Sequence, residues 1–243
     1  MKSWLLFFRM ANKIMILGDS GTGKTTSLET LDPKETFIIC SDEKSLPFKG
    51  WKKRYQTTFS NTGKLDLQNT NLFNTTDVKT IKVLLEKISS DMPHIKIIII
   101  DTITNLMIAE YMRRIKEKGY EKFTDNALDT YSLLTIPEKL RADLTVVILG
   151  HTESNYDSEG VMRTSFKVPG GKLIGQNIVP ESLFTSVLYS EVIMENNEPK
   201  YYFITQNNGK NTCKSPKGMF DTYKIPNDLA FVIQSIAKFE NED

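Results

Sequence analysis

Residues 18–25 read Gly-Asp-Ser-Gly-Thr-Gly-Lys-Thr, the pattern G-x-x-x-x-G-K-[ST]. Each part of that spacing has a chemical use. The glycines let successive backbone N–H groups turn inward around phosphate oxygens, and the start of a following helix adds its positive end. Lys24 reaches the β- and γ-phosphates of a nucleotide, and the Thr25 hydroxyl is a ligand for Mg²⁺. Gly18, Asp19, Ser20, Gly21, Thr22, Gly23, Lys24, Thr25 and Thr26 are therefore the expected nucleotide-binding residues. ATP and Mg²⁺ are the expected ligand and cofactor.

A second metal ligand and a group to activate water complete such a site. Asp101 follows the run Ile97-Ile98-Ile99-Ile100 and stands where a buried strand ends. Ligands of parallel sheets bind outside that edge, so Asp101 is the expected partner of Thr25 in holding Mg²⁺. The next residue is Thr102 and not a glutamate, so the water-activating carboxylate must come from elsewhere. Glu43, just past the apolar run that ends at Cys40, is the expected base, with Asp42 as its rival. His151 ends another apolar strand and can donate a hydrogen bond to the γ-phosphate. His94 precedes a strand on the opposite edge and reads as structural. Neither histidine pairs with a cysteine at metal-ligand spacing.

The elements that must position these residues follow from apolar runs and breakers. Ile14–Leu17, Thr36–Cys40, Ile97–Ile100 and Thr145–Leu149 read as buried strands, and the first should neighbour the second. Helices are expected over residues 25–31, 78–90 (capped by Asp77), 104–118, 125–141 with a disturbance at Pro137, and 228–239. Weak strand signals lie around Leu65 and Leu67, and residues 152–181 read as a long loop. Leu183–Met194 and Lys200–Gln206 suit a hairpin turning at Asn196-Asn197. Strands that are continuously apolar and alternate with helices make an α/β parallel sheet. Phe48 and Trp51 suit core packing, with base stacking as the alternative.

The chain has 243 residues, 40% of them hydrophobic and 25% charged, which excludes wholesale disorder, fibres and disulfide scaffolds. Two cysteines fit a reducing compartment, and Cys40 reads as a buried free thiol. Its apolar runs fall short of the roughly 20 residues a membrane helix needs, so no membrane association is expected. Residues 10–243 read as one domain. Residues 1–9 read as an N-terminal extension, with Met10 as the biological start.

The sequence strand–phosphate loop–helix, strand–Glu43, strand–Asp101, strand–His151 resembles the RecA-like ATPase core. His151 stands where members of that family carry a polar γ-phosphate sensor, usually a glutamine. Lys167-Val168-Pro169-Gly170-Gly171-Lys172, and Thr205-Gln206-Asn207-Asn208-Gly209-Lys210-Asn211 after the hairpin, are similar to phage AAA-family ATP-binding proteins with a minimal RecA core, some of them single-strand annealing recombinases. The resemblance covers residues 10–225. It implies a DNA-dependent ATPase of phage recombination, working in the bacterial cytoplasm as a ring or filament on single-stranded DNA, with a phage single-stranded-DNA-binding protein as a further partner. It assigns DNA contact to Arg163, Lys167, Gly170, Gly171 and Lys172, and a contact to the neighbouring subunit's phosphates to Lys210 and Lys214. A P-loop nucleotide kinase and a nucleotide-binding assembly or packaging factor are the alternatives.

The net charge of +1 conceals a partition. Residues 44–65 carry six Lys/Arg and no acids, residues 161–180 three and none, and residues 199–220 four and none. These 64 residues hold +13 and leave −12 on the rest, a basic groove on an acidic body.

Overall fold

A computed structural model describes residues 10–119, 121–168 and 179–241. Among the described residues, eight strands form one sheet. They are β1 (Asn12–Leu17), β2 (Thr36–Cys40), β3 (Leu72–Asn74), β4 (Ile97–Asp101), β5 (Thr145–Gly150), β8 (Ser186–Glu195), β9 (Glu198–Ile204) and β10 (Lys224–Pro226). Their order across the sheet is β10-β9-β8-β1-β5-β4-β2-β3. Six strands from β8 to β3 run parallel, and β9 and β10 add an antiparallel edge. A separate two-stranded hairpin is made by β6 (Thr152–Tyr156) and β7 (Met162–Phe166).

Strand alternation sends successive side chains to opposite faces, and both faces are covered. Met15, Leu17, Ile98, Ile100, Val146 and Ile148 pack with α2 (Val78–Asp91), α3 (Ile103–Arg113) and α4 (Glu121–Thr135). Ile14, Ile16, Ile38, Ile99, Val147 and Leu149 pack on the other face with Leu28 and with Leu229, Val232 and Ile236 of α5 (Leu229–Asn241). Asp77 caps α2 by accepting the Thr80 N–H at 3.0 Å. Asn196 and Asn197 both take positive φ, as a two-residue hairpin turn requires. Phe48 is buried in the second core and Trp51 packs against it, so both serve packing. Cys40 is a buried free thiol.

Several expectations need correction. The strand ending at Cys40 does not neighbour the phosphate-loop strand: β5 and β4 lie between them. The chain leaves β1 for the far edge, lays down β2 and β3, and returns inward through β4 and β5. The segment after the phosphate loop is a five-residue 3₁₀ helix, Thr26–Thr30, and not a full α-helix. Ser27 donates its hydroxyl to the Lys24 carbonyl and Thr30 donates to Ser27, competition that weakens a regular helix. The helix after Asp101 ends at Arg113 and not near 118. Around Leu65 there is a single bridge to Phe59, Leu67 begins a 3₁₀ turn, and the strand in this stretch is β3.

Part of the expected 152–181 loop is the β6–β7 hairpin. Its polar, exposed strands lack apolar alternation, so only the turn around Asp157 marks it. Asp157 accepts the N–H groups of Glu159 and Val161, and Gly160 has φ +74°. No helix among the described residues is long and apolar enough to cross a membrane.

Candidate nucleotide site

Sheet register assembles the site. Leu17 pairs with Gly150, Leu149 with Asp101, and Asp101 with Cys40. The strands therefore end level. Residues that are distant in sequence, Gly18, His151, Asp101 and Asp42, emerge at one edge. His151, Asp101 and Asp42 border a cavity of about 310 Å³. Its wall includes Ser20, Gly21, Gly23, Lys24, Thr25 and Thr26 from the phosphate loop.

The loop needs its glycines for different reasons. At Gly18 a Cβ would sit 2.7 Å from the Ser190 carbonyl oxygen, too close for any side chain. At Gly23, with φ +93°, it would meet the Tyr201 ring at 2.9 Å. Thr22 and its neighbours are held from the β8 side, where Ser190 donates its hydroxyl to the Thr22 carbonyl.

Lys24 is almost fully buried. Its ammonium donates to the carbonyl oxygens of Gly18 and Asp19, each at 2.7 Å. Burial lowers its pKa to about 8, opposed by the nearby charges of Asp101 and Asp19. The Thr25 hydroxyl donates to Asp101 Oδ2 at 2.9 Å. Asp101 is buried, and burial raises its pKa to about 6. The Thr25 hydrogen bond and the Lys24 charge oppose that rise, and the Asp42 charge adds to it.

Ser41 fixes the backbone that carries Asp101. It accepts the Thr102 N–H at 2.9 Å and donates its hydroxyl to the Thr102 carbonyl at 2.9 Å, and its own N–H donates to the Asp101 carbonyl at 2.7 Å. Thr102, next to Asp101, lines the cavity, and its buried hydroxyl has no hydrogen-bond partner among the described residues. Two hard oxygen donors, from Thr25 and Asp101, beside an ammonium match the needs of Mg²⁺ with a polyphosphate.

The carboxylates at the rim are Asp42 and Asp101, and Glu43 is not among the lining residues. Glu43 is exposed on the loop after β2. Asp42 is held by Asn105 Nδ2 at 3.4 Å and by Lys44 Nζ at 3.1 Å. The loop past β2 puts Asp42 on the cavity wall and leaves Glu43 in solvent, so it is the rival position that reaches the site.

His151 lines the cavity, half-buried, and its N–H donates to the Thr104 hydroxyl at 2.9 Å. Burial and then the Lys24 charge lower its pKa, against a hydrogen bond with Gly18 that raises it. His94 is exposed, away from this cavity. Asn105 and Tyr201 also line the cavity and were not among the sequence candidates. A tyrosine on a hairpin strand gives no sequence signal of its nearness to Gly23.

The remaining candidates lie elsewhere. Arg163 pairs with Asp157 at 2.9 Å and also donates to the Gly209 carbonyl. Lys167 is exposed at the base of the hairpin, and its N–H donates to the His151 carbonyl at 2.8 Å. Gly170, Gly171 and Lys172 lie outside the described residues. Lys210 is exposed. Lys214 is half-buried, with its pKa lowered by burial against the opposing pull of Glu181. Neither lines the nucleotide cavity of its own chain.

Among solved structures, a KaiC-like protein from the hyperthermophilic archaeon Pyrococcus horikoshii is similar, with TM-score 0.43 and 14% identity over 80% of this chain and 78% of that one. No curated protein matches the chain. Residues 10–216 match the family described as AAA domain, a span that takes in the phosphate loop, Asp42, Asp101 and His151. The chain belongs to this AAA-domain family.

Proposed function

We propose that the chain is a Mg²⁺-dependent ATPase that works as an oligomer on single-stranded DNA in phage recombination, its turnover coupled to that DNA. The observation that carries the ATPase reading is the convergence of Lys24, Thr25 and Asp101 on one cavity. Lys24 exchanges the Gly18 and Asp19 carbonyls for phosphate oxygens. Thr25 and Asp101 would hold the metal, which when bound would neutralise charge on the phosphates. Asp42 orients water and accepts its proton, and Asn105 keeps that carboxylate in place. His151, neutral near pH 7, donates a hydrogen bond toward the terminal phosphate.

Coupling is supported by the way the hairpin is attached. β6 starts at the residue after His151, Thr152 shares a hydrogen bond with Asp19 of the phosphate loop, and Lys167 returns to the His151 carbonyl. A change at the phosphates therefore reaches the hairpin through covalent neighbours. Lys167 has no ion pair among the described residues, which leaves it available for a DNA phosphate. The test is the ATPase rate with and without a single-stranded oligonucleotide, with Lys24→Ala as the blank. Stimulation by DNA supports the reading. Phosphate transfer to a nucleoside monophosphate points to a kinase, and turnover indifferent to nucleic acid points to an assembly factor.

A further inference from the structure

The nucleotide cavity uses just one of the six basic residues in the acid-free stretch 44–65, Lys44. Two others, Lys53 and Arg54, line a second cleft of about 470 Å³. Lys34 and His94 line it too, ahead of β2 and β4, so the cleft lies at the edge of the sheet opposite the phosphate loop. Side-chain amides, Gln56 and Asn69 among them, form much of the rest of its wall, and no Asp or Glu lines it.

Arg54 is held in place without being neutralised. It donates from Nη1 to the Glu29 carbonyl at 2.8 Å and from Nη2 to the Leu31 carbonyl at 2.6 Å. Its guanidinium lies over the rings of Phe48 and Tyr55, 5.6 and 5.7 Å from their centres. Neutral carbonyls and rings orient the group but bring no negative charge. The other four described arginines, Arg113, Arg114, Arg141 and Arg163, each pair with a carboxylate. Among the described residues Arg54 does not, and neither Lys34 nor Lys53 has an ion pair.

We propose that this cleft is a second anion site, separate from the nucleotide cavity, that takes a phosphate-bearing ligand. Several convergent cations match a multiply charged group better than a single carboxylate. A preoriented guanidinium with unused N–H donors suits tetrahedral oxygens. The phosphate belongs either to a small free ligand or to an oligonucleotide backbone, and the test separates these sources.

The test uses the full chain with its nucleotide cavity filled by Mg²⁺·ADP. Pyrophosphate is titrated against the ¹⁵N-labelled protein, and a fluorescein-labelled 20-nucleotide single strand is titrated by anisotropy. Both are repeated with Lys34→Ala/Lys53→Ala, which leaves the Arg54 contacts intact. The backbone amides around Lys53 and Asn69 should shift saturably with pyrophosphate, and the double variant should bind it at least about tenfold more weakly. Its thermal midpoint and basal ATPase should match the wild type. If the oligonucleotide also weakens, and its log–log salt slope falls by about 1.4, the value for two single-strand phosphate contacts, the backbone is the source. If only pyrophosphate weakens, the source is a small free ligand. Absence of saturable shifts in the wild type, or equal pyrophosphate affinity in wild type and variant, overturns the proposal.

Discussion

The Thr25 hydroxyl donates a 2.9 Å hydrogen bond to Asp101, joining residues 76 apart in sequence across the nucleotide cavity. Thr25 ends the phosphate loop and Asp101 ends β4, and β5 lies between β4 and the loop's own strand. The bond therefore depends on three strands ending level. It also brings the two proposed metal ligands into register with each other.

Replacing either member should separate metal use from nucleotide binding. Thr25→Val keeps the shape of the residue but removes the oxygen. Its ATP affinity without Mg²⁺ should stay within a few-fold of the wild type. The Mg²⁺ concentration for half-maximal turnover should rise at least about tenfold, the loss of one charge-assisted contact. Turnover measured against free Mg²⁺ checks this.

Asp42 and Glu43 give opposite expectations. Asp42→Asn should lower kcat by about 100-fold or more with little change in KM, as removal of a general base does. Glu43→Gln, exposed and off the cavity wall, should stay within about twofold. Steady-state kinetics of the two variants decides between them.

Acidity should act through Asp101. Burial raises its pKa from 3.8 to about 6, so its ionised form costs the fold stability. That cost is fully present above pH 6 and disappears as pH falls from about 6 toward 4. In the metal-free and nucleotide-free protein, Asp101→Asn should therefore raise the thermal midpoint at pH 7.5, and the gain should shrink at pH 5. Mg²⁺-dependent turnover should fall through the same window as the carboxylate protonates. Above about pH 8, loss of the Lys24 proton should weaken ATP binding. Melting curves and ATP titrations across pH 5–9 read all three.

Gly150 tests the junction between sheet and hairpin. A Cβ there would sit 2.7 Å from the Phe166 ring and 2.9 Å from Leu17. Gly150→Ala should cost about 1–3 kcal/mol, the range for overpacking a filled core, read by chemical denaturation.

The phosphate loop was legible because its chemistry demands adjacent residues, and Asp101 because four isoleucines point to a buried strand ending there. What the sequence could not convey is how neighbouring positions face. Asp42 and Glu43 are equivalent as text, and the path of the loop after β2 puts the first on the cavity wall and the second in solvent. The β2 neighbour was misplaced because apolar strands do not encode their order. Tyr201 and Ser41 depend on tertiary approach alone, and the β6–β7 hairpin has polar strands stabilised by a turn and by contacts to Asp19 and Glu181. Arg54 was visible as one charge in a basic run. That no carboxylate pairs with it among the described residues is a fact of three dimensions.

The most direct test of the central claim is release of inorganic phosphate from ATP by the purified chain, with Mg²⁺ and with EDTA, beside Lys24→Ala. We predict steady turnover with Mg²⁺ in the wild type, none with EDTA, and a loss of about 100-fold or more in Lys24→Ala. Equal phosphate release by the wild type and Lys24→Ala, or turnover that survives EDTA, would contradict the account.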